Sequence, residues 1–394
     1  ILASYTKYGY SASQIARLPL RDEGIYQFPQ VIDYLKADSA SLERFRVYLQ
    51  NQGLSPEDVG SSSWSSVQPI GREVQTGTLP QKRLFYWTSR FMAWEASRYL
   101  SHETEAIERN IGSNINVMHN THVWTGRLYS AGPNAGFPAG DWSPTSAGGM
   151  WDWFEHARMR GTNMMYTEDW FKDSYAPNWS YFAERLSDAA NKNNLKTGGY
   201  VVLYHAGDTA NGLLKKAMAL AGHGAKEIFY YVFGPAYNIP ADGYSEQAMK
   251  NPHLFGEIAQ ANQMIGRTED LLYPGKTPKS QVAILFPRSS FMWDRYSGSE
   301  STLLFSQNWG MYYDMDYAGE IMGIFRALQN SAIQPEFIEE DDLTSASLSR
   351  YKVLYVTEPN IPLDEQQAIS KWVNDGGVLV KVTNAGTAAR YNES

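Results

Sequence analysis

The sequence contains no cysteine, although it is 394 residues long. Disulfide bonds, thiolate nucleophiles and cysteine-based metal sites are therefore excluded. A bacterial cytoplasm, periplasm or cell exterior is each compatible with a cysteine-free chain, so this absence leaves the compartment open.

Long apolar runs and concentrated positive charge are missing as well. No segment reaches the ~18 consecutive apolar residues of a membrane-spanning helix, so we expect no membrane partner. The formal net charge is −8 and Lys and Arg form no patch, which argues against nucleic acid as a partner. Neither a G-x-G-x-x-G motif nor a P-loop occurs, which disfavours a nucleotide or sugar-phosphate enzyme. A serine nucleophile is disfavoured because no G-x-S-x-G motif occurs.

Aromatic residues, in contrast, are abundant, with 26 Tyr, 12 Trp and 16 Phe. Flat rings beside polar groups suit sugars, which offer C–H faces for stacking and hydroxyls for hydrogen bonding. A core that is merely rich in aromatic residues explains the same numbers, so composition leaves both interpretations open.

The middle of the chain alternates short apolar runs with helical segments. Short strands separated by helices of about ten to twenty residues indicate parallel βα units. We therefore expect an α/β fold with a (β/α)8 TIM barrel over residues 1–275, of which this chain holds the second half or more. A doubly wound sheet is the alternative. The predicted strands are 115–120, 163–169, 198–208 and 226–237, and the predicted helices are 31–51 (broken near Asp38 and Ser39), 84–109, 151–160, 179–192 and 210–225, with a long loop over 52–83.

A second α/β pattern follows the Pro/Gly/Lys-rich segment PGKTPKSQ, which starts at Pro274. We expect a Rossmann-like or flavodoxin-like domain over residues 276–394. Its predicted strands are 282–286, 351–356 and 378–382, and its predicted helices are 317–333 and 362–377.

Two pairs of adjacent carboxylates lie beside aromatic residues. Asp22 and Glu23 precede a Tyr/Phe/Pro segment, and Glu168 and Asp169 end a predicted strand just before Trp170. Glycoside hydrolysis needs two carboxyl groups, ~5–5.5 Å apart for retention of configuration or ~6.5–9.5 Å apart for inversion. Neighbouring rings raise a carboxyl pKa by desolvation. The structural alternative is that the first pair begins an exposed loop and the second caps a helix.

Histidines lie near the same predicted strand ends. His119, His122 and His205 are the candidates for a metal site, but their spacing matches no metal motif. Neutral histidines that hydrogen-bond sugar hydroxyls or orient carboxylates are the preferred interpretation. We expect no metal and no other cofactor.

Three stretches resemble a known family. The sequences YWTSRFMAWEASRYLSHETEAIERNIGSNINVMHN, GGYVVLYHAGD and KKAMALAGHGAKEIFYYVFGP are similar to the second half of the barrel in clan A glycoside hydrolases, in particular the β-galactosidases that carry a trimerisation domain. Residues 280–394 resemble that trimerisation domain, a glutamine-amidotransferase-like fold without its cysteine. The resemblance implies a glycosidase acting on an oligo- or polysaccharide and a homotrimeric assembly.

The resemblance also implies roles for individual residues. Glu23 matches the family's acid/base at the end of strand four, and Asn120 matches the Asn that ends strand five. The family's nucleophile is a Glu ending strand seven, which this sequence lacks, so Asp208 substitutes, Glu168 takes the role, or the reaction differs. We favour Glu168, with Trp170 stacking on a sugar. The expected substrate-binding residues are Asp22, Asn120, His122, Trp124, Asp169, Trp170, Tyr204 and His205.

Two further expectations concern completeness and activity. If Glu23 ends strand four, three strands precede residue 1, because five strands leave open edges. We therefore expect a segment of a longer protein or a barrel completed by another chain, unless the strand count is wrong. The missing strand-seven Glu also supports an alternative function, a catalytically inactive carbohydrate-binding or assembly protein that keeps the barrel.

Overall fold

The protein contains two parallel β-sheets with helices packed around them. The computed structural model describes residues 2–20, 30–71, 77–121, 152–169, 176–203, 211–231, 251–293, 316–382 and 384–393.

The first sheet has five strands that follow one another in sequence order, and every neighbouring pair is parallel. Helices connect successive strands, as in a (β/α) barrel, and the curled sheet forms about half of one. The strands are β1 (Arg17–Pro19), β2 (Asn116–Asn120), β3 (Met164–Asp169), β4 (Lys196–Val202) and β5 (Glu227–Tyr231).

The helices around this sheet confirm most of the sequence-based expectations. Among the described helices, none has both the length and the apolar character needed to cross a bilayer. They are α1 (Leu2–Lys7), α2 (Gln30–Ala37), α3 (Ser39–Asn51), α4 (Leu79–Asn110), α5 (Trp153–Arg158), α6 (Ala176–Lys192), α7 (Gly212–Gly222), α8 (His253–Gly266) and α9 (Glu269–Leu272).

Local capping explains where two of these helices begin. The predicted break between α2 and α3 is confirmed, since the Asp38 side chain accepts a hydrogen bond from the Ser41 amide and caps α3. Helix α4 starts at Leu79, five residues before the predicted start at residue 84. The Thr78 amide donates to Gln81 Oε1 at 2.8 Å, and Pro80 suits the first turn, so the polar end of the predicted loop is already helical.

The two faces of the first sheet differ in what covers them. Gly199 faces α7, because a Cβ at this position would lie 3.0 Å from Cδ2 of Leu220. Gly198 faces the other way, where a Cβ would meet the side chains of Met164 and Tyr166. Helices therefore pack on one face, and we call the opposite face, which carries Tyr166, the inner face.

The second sheet has four parallel strands in the order β7-β6-β8-β9. This is the order of the first four strands in flavodoxin-like sheets. The strands are β6 (Val282–Leu285), β7 (Glu336–Ile338), β8 (Val353–Val356) and β9 (Val378–Lys381), and the helices are α10 (Arg288–Trp293), α11 (Asp316–Asn330), α12 (Ser345–Leu348) and α13 (Leu363–Asn374).

The two sheets share a hydrophobic core along helix α6. Phe325 on α11 and Phe337 on β7 stack with their ring centroids 5.7 Å apart. Tyr181 on α6 contacts both rings edge-on, at 5.7 and 5.3 Å. One cluster of buried side chains includes residues from both sheets. The second sheet and its helices, which we call the second unit, therefore pack directly on the first sheet and its helices, which we call the first unit. A domain boundary near residue 275 stays a prediction.

A buried arginine forms ion pairs across this interface. Arg288, which starts α10 after β6, is 1% exposed. Its Nε lies 2.8 Å from Asp152 Oδ2 at the start of α5, and its Nη1 lies 3.1 Å from Asp341 Oδ2 after β7. It also pairs with Glu339. A buried guanidinium is stable only when fully paired, and here the partners come from both units.

Other cations extend this network. Arg90 on α4 lies 3.5 Å from Asp152, and Arg158 on α5 and Lys192 on α6 both pair with Glu339. Burial opposes ionisation of Glu339, but Arg288 and the two other cations hold its pKa well below the usual range. Glu339 is thus held ionised by cations at the contact between the two sheets.

We expect Arg288→Ala to lower the free energy of unfolding by about 3–5 kcal/mol, because it leaves buried carboxylates without their cation. Chemical denaturation followed by circular dichroism measures this change. Arg160→Ala is the matched control, since Arg160 is 56% exposed and pairs with Glu108 at the surface, where such a pair contributes less than about 1 kcal/mol. Equal effects of the two substitutions would contradict a structural role for the buried network.

Candidate functional site

Two polar side chains meet at the carboxyl end of the first sheet. Asn120 is the last residue of β2, and Glu168 lies near the end of the neighbouring strand β3. The Asn120 side-chain amide donates to Glu168 Oε2 at 2.8 Å, and both residues are buried, at 5% and 6% exposure. Of the predicted site residues, these two are brought together.

Strand register places this pair on the inner face. Asn120 is level with Tyr166, and Glu168 is level with Tyr200 on β4. Because residues two apart on a strand share a face, Glu168 lies on the same side as Tyr166. In a (β/α) barrel, side chains at the carboxyl ends of the strands form the active site.

Aromatic rings cover the inner face below Glu168. Tyr166 and Tyr200 meet edge to face at 4.7 Å, and Phe229 on β5 lies 5.3 Å from Tyr166 and 5.5 Å from Tyr200. Tyr231 adds a fourth ring 6.0 Å from Tyr200. Burial, followed by the charge of Tyr200, raises the pKa of Tyr166 well above its usual value, so its phenol stays neutral. The floor of the candidate site is therefore aromatic and uncharged.

Tyr166, Tyr200 and Phe229 are absent from the site residues predicted from sequence. The alternation of side chains along a strand identifies Tyr166, because this residue lies two positions before Glu168 in MMYTED and therefore shares its face. Which residues of β4 and β5 lie beside them depends on strand register, and register is visible only in the structure.

The amino end of the same face holds a different polar cluster. Asn116 on β2 donates to Glu227 on β5, and Lys196 Nζ donates to Asn116 Oδ1 at 3.1 Å. Arg17 Nε lies 3.5 Å from the other Glu227 oxygen. Glu227 is thus paired with Arg17 at the amino end of the sheet, the end that in barrels contributes to stability.

His119 does not join Glu168. It precedes Asn120 on β2 and is level with Met165, which belongs to the core under the helices. His156 on α5 lies near His119, and burial, followed by His119, lowers the pKa of His156 to about 3. Within the described ranges, no three His, Cys, Asp or Glu residues are grouped so that they could hold a metal ion.

Most of the other predicted site residues lie outside the described part of the chain. For Asp169 the backbone alone is described, and it is level with Val201. The roles predicted for these residues, and the separation of the two candidate catalytic carboxyl groups, stay predictions. The residues outside the described part are Asp22, Glu23, His122, Trp124, Trp170, Tyr204, His205 and Asp208.

Comparison with known proteins identifies the fold. No protein-family profile and no curated protein sequence matches this chain. Among solved structures, Gan42B, a GH42 β-galactosidase, superposes with a TM-score of 0.57 at 13% identity over 89% of this chain. A catalytic mutant of Gan42B from G. stearothermophilus gives a TM-score of 0.55 at 14% identity over the same share.

The chain shares its fold with part of a GH42 β-galactosidase. It spans about half the length of these structures, since 50% of each is covered. The resemblance to clan A β-galactosidases is therefore confirmed for the fold, whereas the trimerisation domain stays a prediction. At this identity the likeness extends to backbone architecture and not to activity.

We expect Gly198→Ala to destabilise the protein by about 1–3 kcal/mol through overpacking of the inner face. A Cβ there would lie 2.5 Å from Met164 Cε, 3.0 Å from the Glu227 carbonyl oxygen and 3.1 Å from Tyr166 Cδ2. Gly256→Ala in α8 is the control, because its Cβ meets nothing within 4 Å and should stabilise the helix by about 0.5–1 kcal/mol. Thermal unfolding of both variants tests this; a stabilised Gly198→Ala variant would contradict the close packing.

Proposed function

We propose that this protein hydrolyses glycosidic bonds in an oligo- or polysaccharide and that Glu168 is one of its two catalytic carboxyl groups. The observation that carries the proposal is the position of Glu168, at the carboxyl end of a parallel strand, on the inner face, with Asn120 hydrogen-bonded to it. This is the end of the sheet where barrel enzymes bind and convert substrates.

The contact with Asn120 suits a carboxyl group that acts in catalysis. An amide N–H that donates to Oε2 fixes the direction of the carboxyl group. In glycoside hydrolysis, the other carboxyl group donates a proton to the leaving oxygen while this one attacks the anomeric carbon or activates water. Glu23 is our candidate for the proton donor, and Asp208 is the alternative nucleophile.

The aromatic floor supports a sugar as the substrate. Tyr200 and Phe229 are partly exposed beside the carboxyl group, above the buried Tyr166 ring, and sugars bind to such aromatic surfaces through their C–H groups. The structural neighbours are β-galactosidases, so a β-galactoside is the first substrate to test. Trp170 is our candidate for an additional stacking residue.

A second candidate function is carbohydrate binding without hydrolysis. Strand β4 (Lys196–Val202) corresponds to the predicted seventh barrel strand, and its inner-face residues include Tyr200 and no carboxylate. If the family mechanism needs a carboxylate on that strand, this chain lacks it. Binding of a sugar by the aromatic floor and Glu168 would then be the remaining activity.

We expect Glu168→Gln to lower hydrolysis of aryl glycosides by about 10² to 10⁴-fold, because the amide can neither attack nor transfer a proton. The assay uses a panel that includes an aryl β-galactoside. Glu227→Gln is the matched control, since this Glu lies on the same face and also accepts from an Asn side chain, but at the amino end of the sheet. Its rate should stay within a few-fold of the unsubstituted protein.

Three outcomes separate the two functions. Loss of turnover in Glu168→Gln alone supports hydrolysis at this residue. Saturable binding of oligosaccharides by the unsubstituted protein in calorimetry, without turnover of any aryl glycoside, would support the binding function instead. Unchanged turnover in Glu168→Gln would remove Glu168 from the catalytic pair.

A further inference from the structure

Two fully buried glutamates lie at the carboxyl edge of the second sheet, away from the candidate site. Glu340 follows β7 and is 2% exposed, and Glu358 follows β8 and is 0% exposed. Strands β7 and β8 flank β6, so their loops meet around the segment that leads into α10. The proposed glycosidase mechanism uses neither residue.

Glu340 has surroundings unlike those of its neighbour Glu339. Glu339 is paired with Arg288, Arg158 and Lys192 and is therefore ionised. Glu340 instead accepts from the Ser289 amide at 2.6 Å, and its other oxygen lies 2.7 Å from the Ser289 hydroxyl. Burial raises the pKa of Glu340 to about 7, against the opposing charge of Arg288. Below neutral pH, successive residues therefore differ in charge, Glu339 being ionised and Glu340 largely protonated.

Glu358 is enclosed without a cation. Its Oε2 accepts from the Thr357 amide at 2.9 Å, and Oε1 has no hydrogen-bond partner among the described residues. No ion pair of Glu358 occurs within that part of the chain. Burial, with a further contribution from Glu340, raises the pKa of Glu358 to about 8. The charge of Glu340 thus adds to the effect of burial on Glu358.

The cations nearest to the pair are already engaged elsewhere. Arg288 binds carboxylates on α5 and after β7, and Arg390 Nη2 lies 3.0 Å from Glu365 Oε1 on α13. The titratable group that faces Glu340 from α4 is Tyr86, whose hydroxyl lies 3.3 Å from Ser289 Oγ. Burial, followed by Glu340, raises the pKa of Tyr86 well above its usual value. Both arginines lower the pKa of Glu340, but burial outweighs them and keeps it above its usual value.

This edge of the second sheet is also where it contacts the long helix α4. The Trp87 indole donates to the Tyr391 hydroxyl at 3.1 Å, and Lys82 Nζ donates to the Asn392 carbonyl at 3.2 Å. Together with the Tyr86–Ser289 contact, these bonds connect α4 to the C-terminal segment and to α10. Ser289 of α10 in turn binds Glu340, and the Glu358 carbonyl oxygen accepts from the Gly386 amide of the C-terminal segment. Charge that develops on Glu340 therefore acts on α4 through Ser289, and charge on Glu358 acts through the C-terminal segment.

We propose that Glu340 and Glu358 form a pH-sensitive contact that weakens the packing of the second sheet on α4 as the pH rises through neutrality. At mildly acidic pH the folded protein retains both side chains as neutral acids, and above neutral pH they become buried anions with too few cations around them. The protein is then most stable at mildly acidic pH.

The direction of the pH effect follows from proton binding. In an unfolded chain a glutamate loses its proton near about pH 4.3. Between that pH and the higher folded values of about 7 and about 8, the folded protein holds more protons than the unfolded chain. Stability therefore falls as the pH rises through this window, with the unfolding equilibrium constant increasing by about tenfold per pH unit for each carboxyl group.

We expect Glu340→Gln and Glu358→Gln each to reduce the loss of stability between about pH 5 and about pH 8, because glutamine imitates the neutral acid and cannot ionise. The measurement is urea denaturation of the full chain at a series of pH values, compared with the unsubstituted protein. Each variant should remove about tenfold per pH unit from the rise in the unfolding equilibrium constant.

Glu339→Gln is the control, since it changes the adjacent carboxylate, which is ionised throughout this pH range. It should lower stability at every pH and keep the pH dependence of the unsubstituted protein. If both Gln variants at positions 340 and 358 also kept that pH dependence, the proposal would be overturned.

A second measurement uses the unsubstituted protein and therefore does not depend on whether the variants fold. The infrared band of protonated carboxyl groups in the folded, unsubstituted protein should be present at about pH 6 and should lose intensity between about pH 6 and about pH 9, as Glu340 and Glu358 ionise. Absence of any protonated carboxyl band at about pH 6 would refute the neutral pair, whatever the variants do.

Discussion

The ion pairs of Arg288 are the interaction on which the arrangement of the two sheets depends. The guanidinium is fully buried between helix α5 of the first unit and the loop after β7 of the second. A buried charge is tolerated only where partners surround it, so its neighbours cannot separate without leaving ions unpaired in a low-dielectric interior. The shared aromatic core along α6 also holds the two sheets together, but hydrophobic packing is non-directional. The ion pairs of Arg288 determine which groups of the two sheets face each other.

The inner face of the first sheet shows how position along a strand separates structural from functional polar groups. An Asn–Glu pair occurs at each end, Asn116 with Glu227 at the amino end and Asn120 with Glu168 at the carboxyl end. At the amino end, Arg17 and Lys196 add positive charge and complete a stabilising cluster. At the carboxyl end, the same pair of residue types lies above an aromatic floor. The chemistry of the residues is alike, and their place in the barrel distinguishes them.

In the second sheet, two successive glutamates have different surroundings. Glu339 and Glu340 are neighbours in sequence, but the first turns toward three cations and the second toward Ser289, whose hydroxyl contacts Tyr86. One therefore stabilises the interface as an ion and the other as a neutral acid. The contact between the two sheets thus combines fixed charges with groups that titrate near neutral pH.

The sequence by itself determined the βα alternation, the break at Asp38 and the two parallel sheets, because local spacing and capping are encoded within a few residues. It also singled out Asn120 and Glu168, since polar residues at the ends of apolar strands are conspicuous. Only the tertiary structure decided that these two touch, that Tyr166, Tyr200 and Phe229 lie below them, and that Glu339 and Glu340 differ in charge. Strand register and the approach of distant helices set those contacts, and neither leaves a local pattern in the chain.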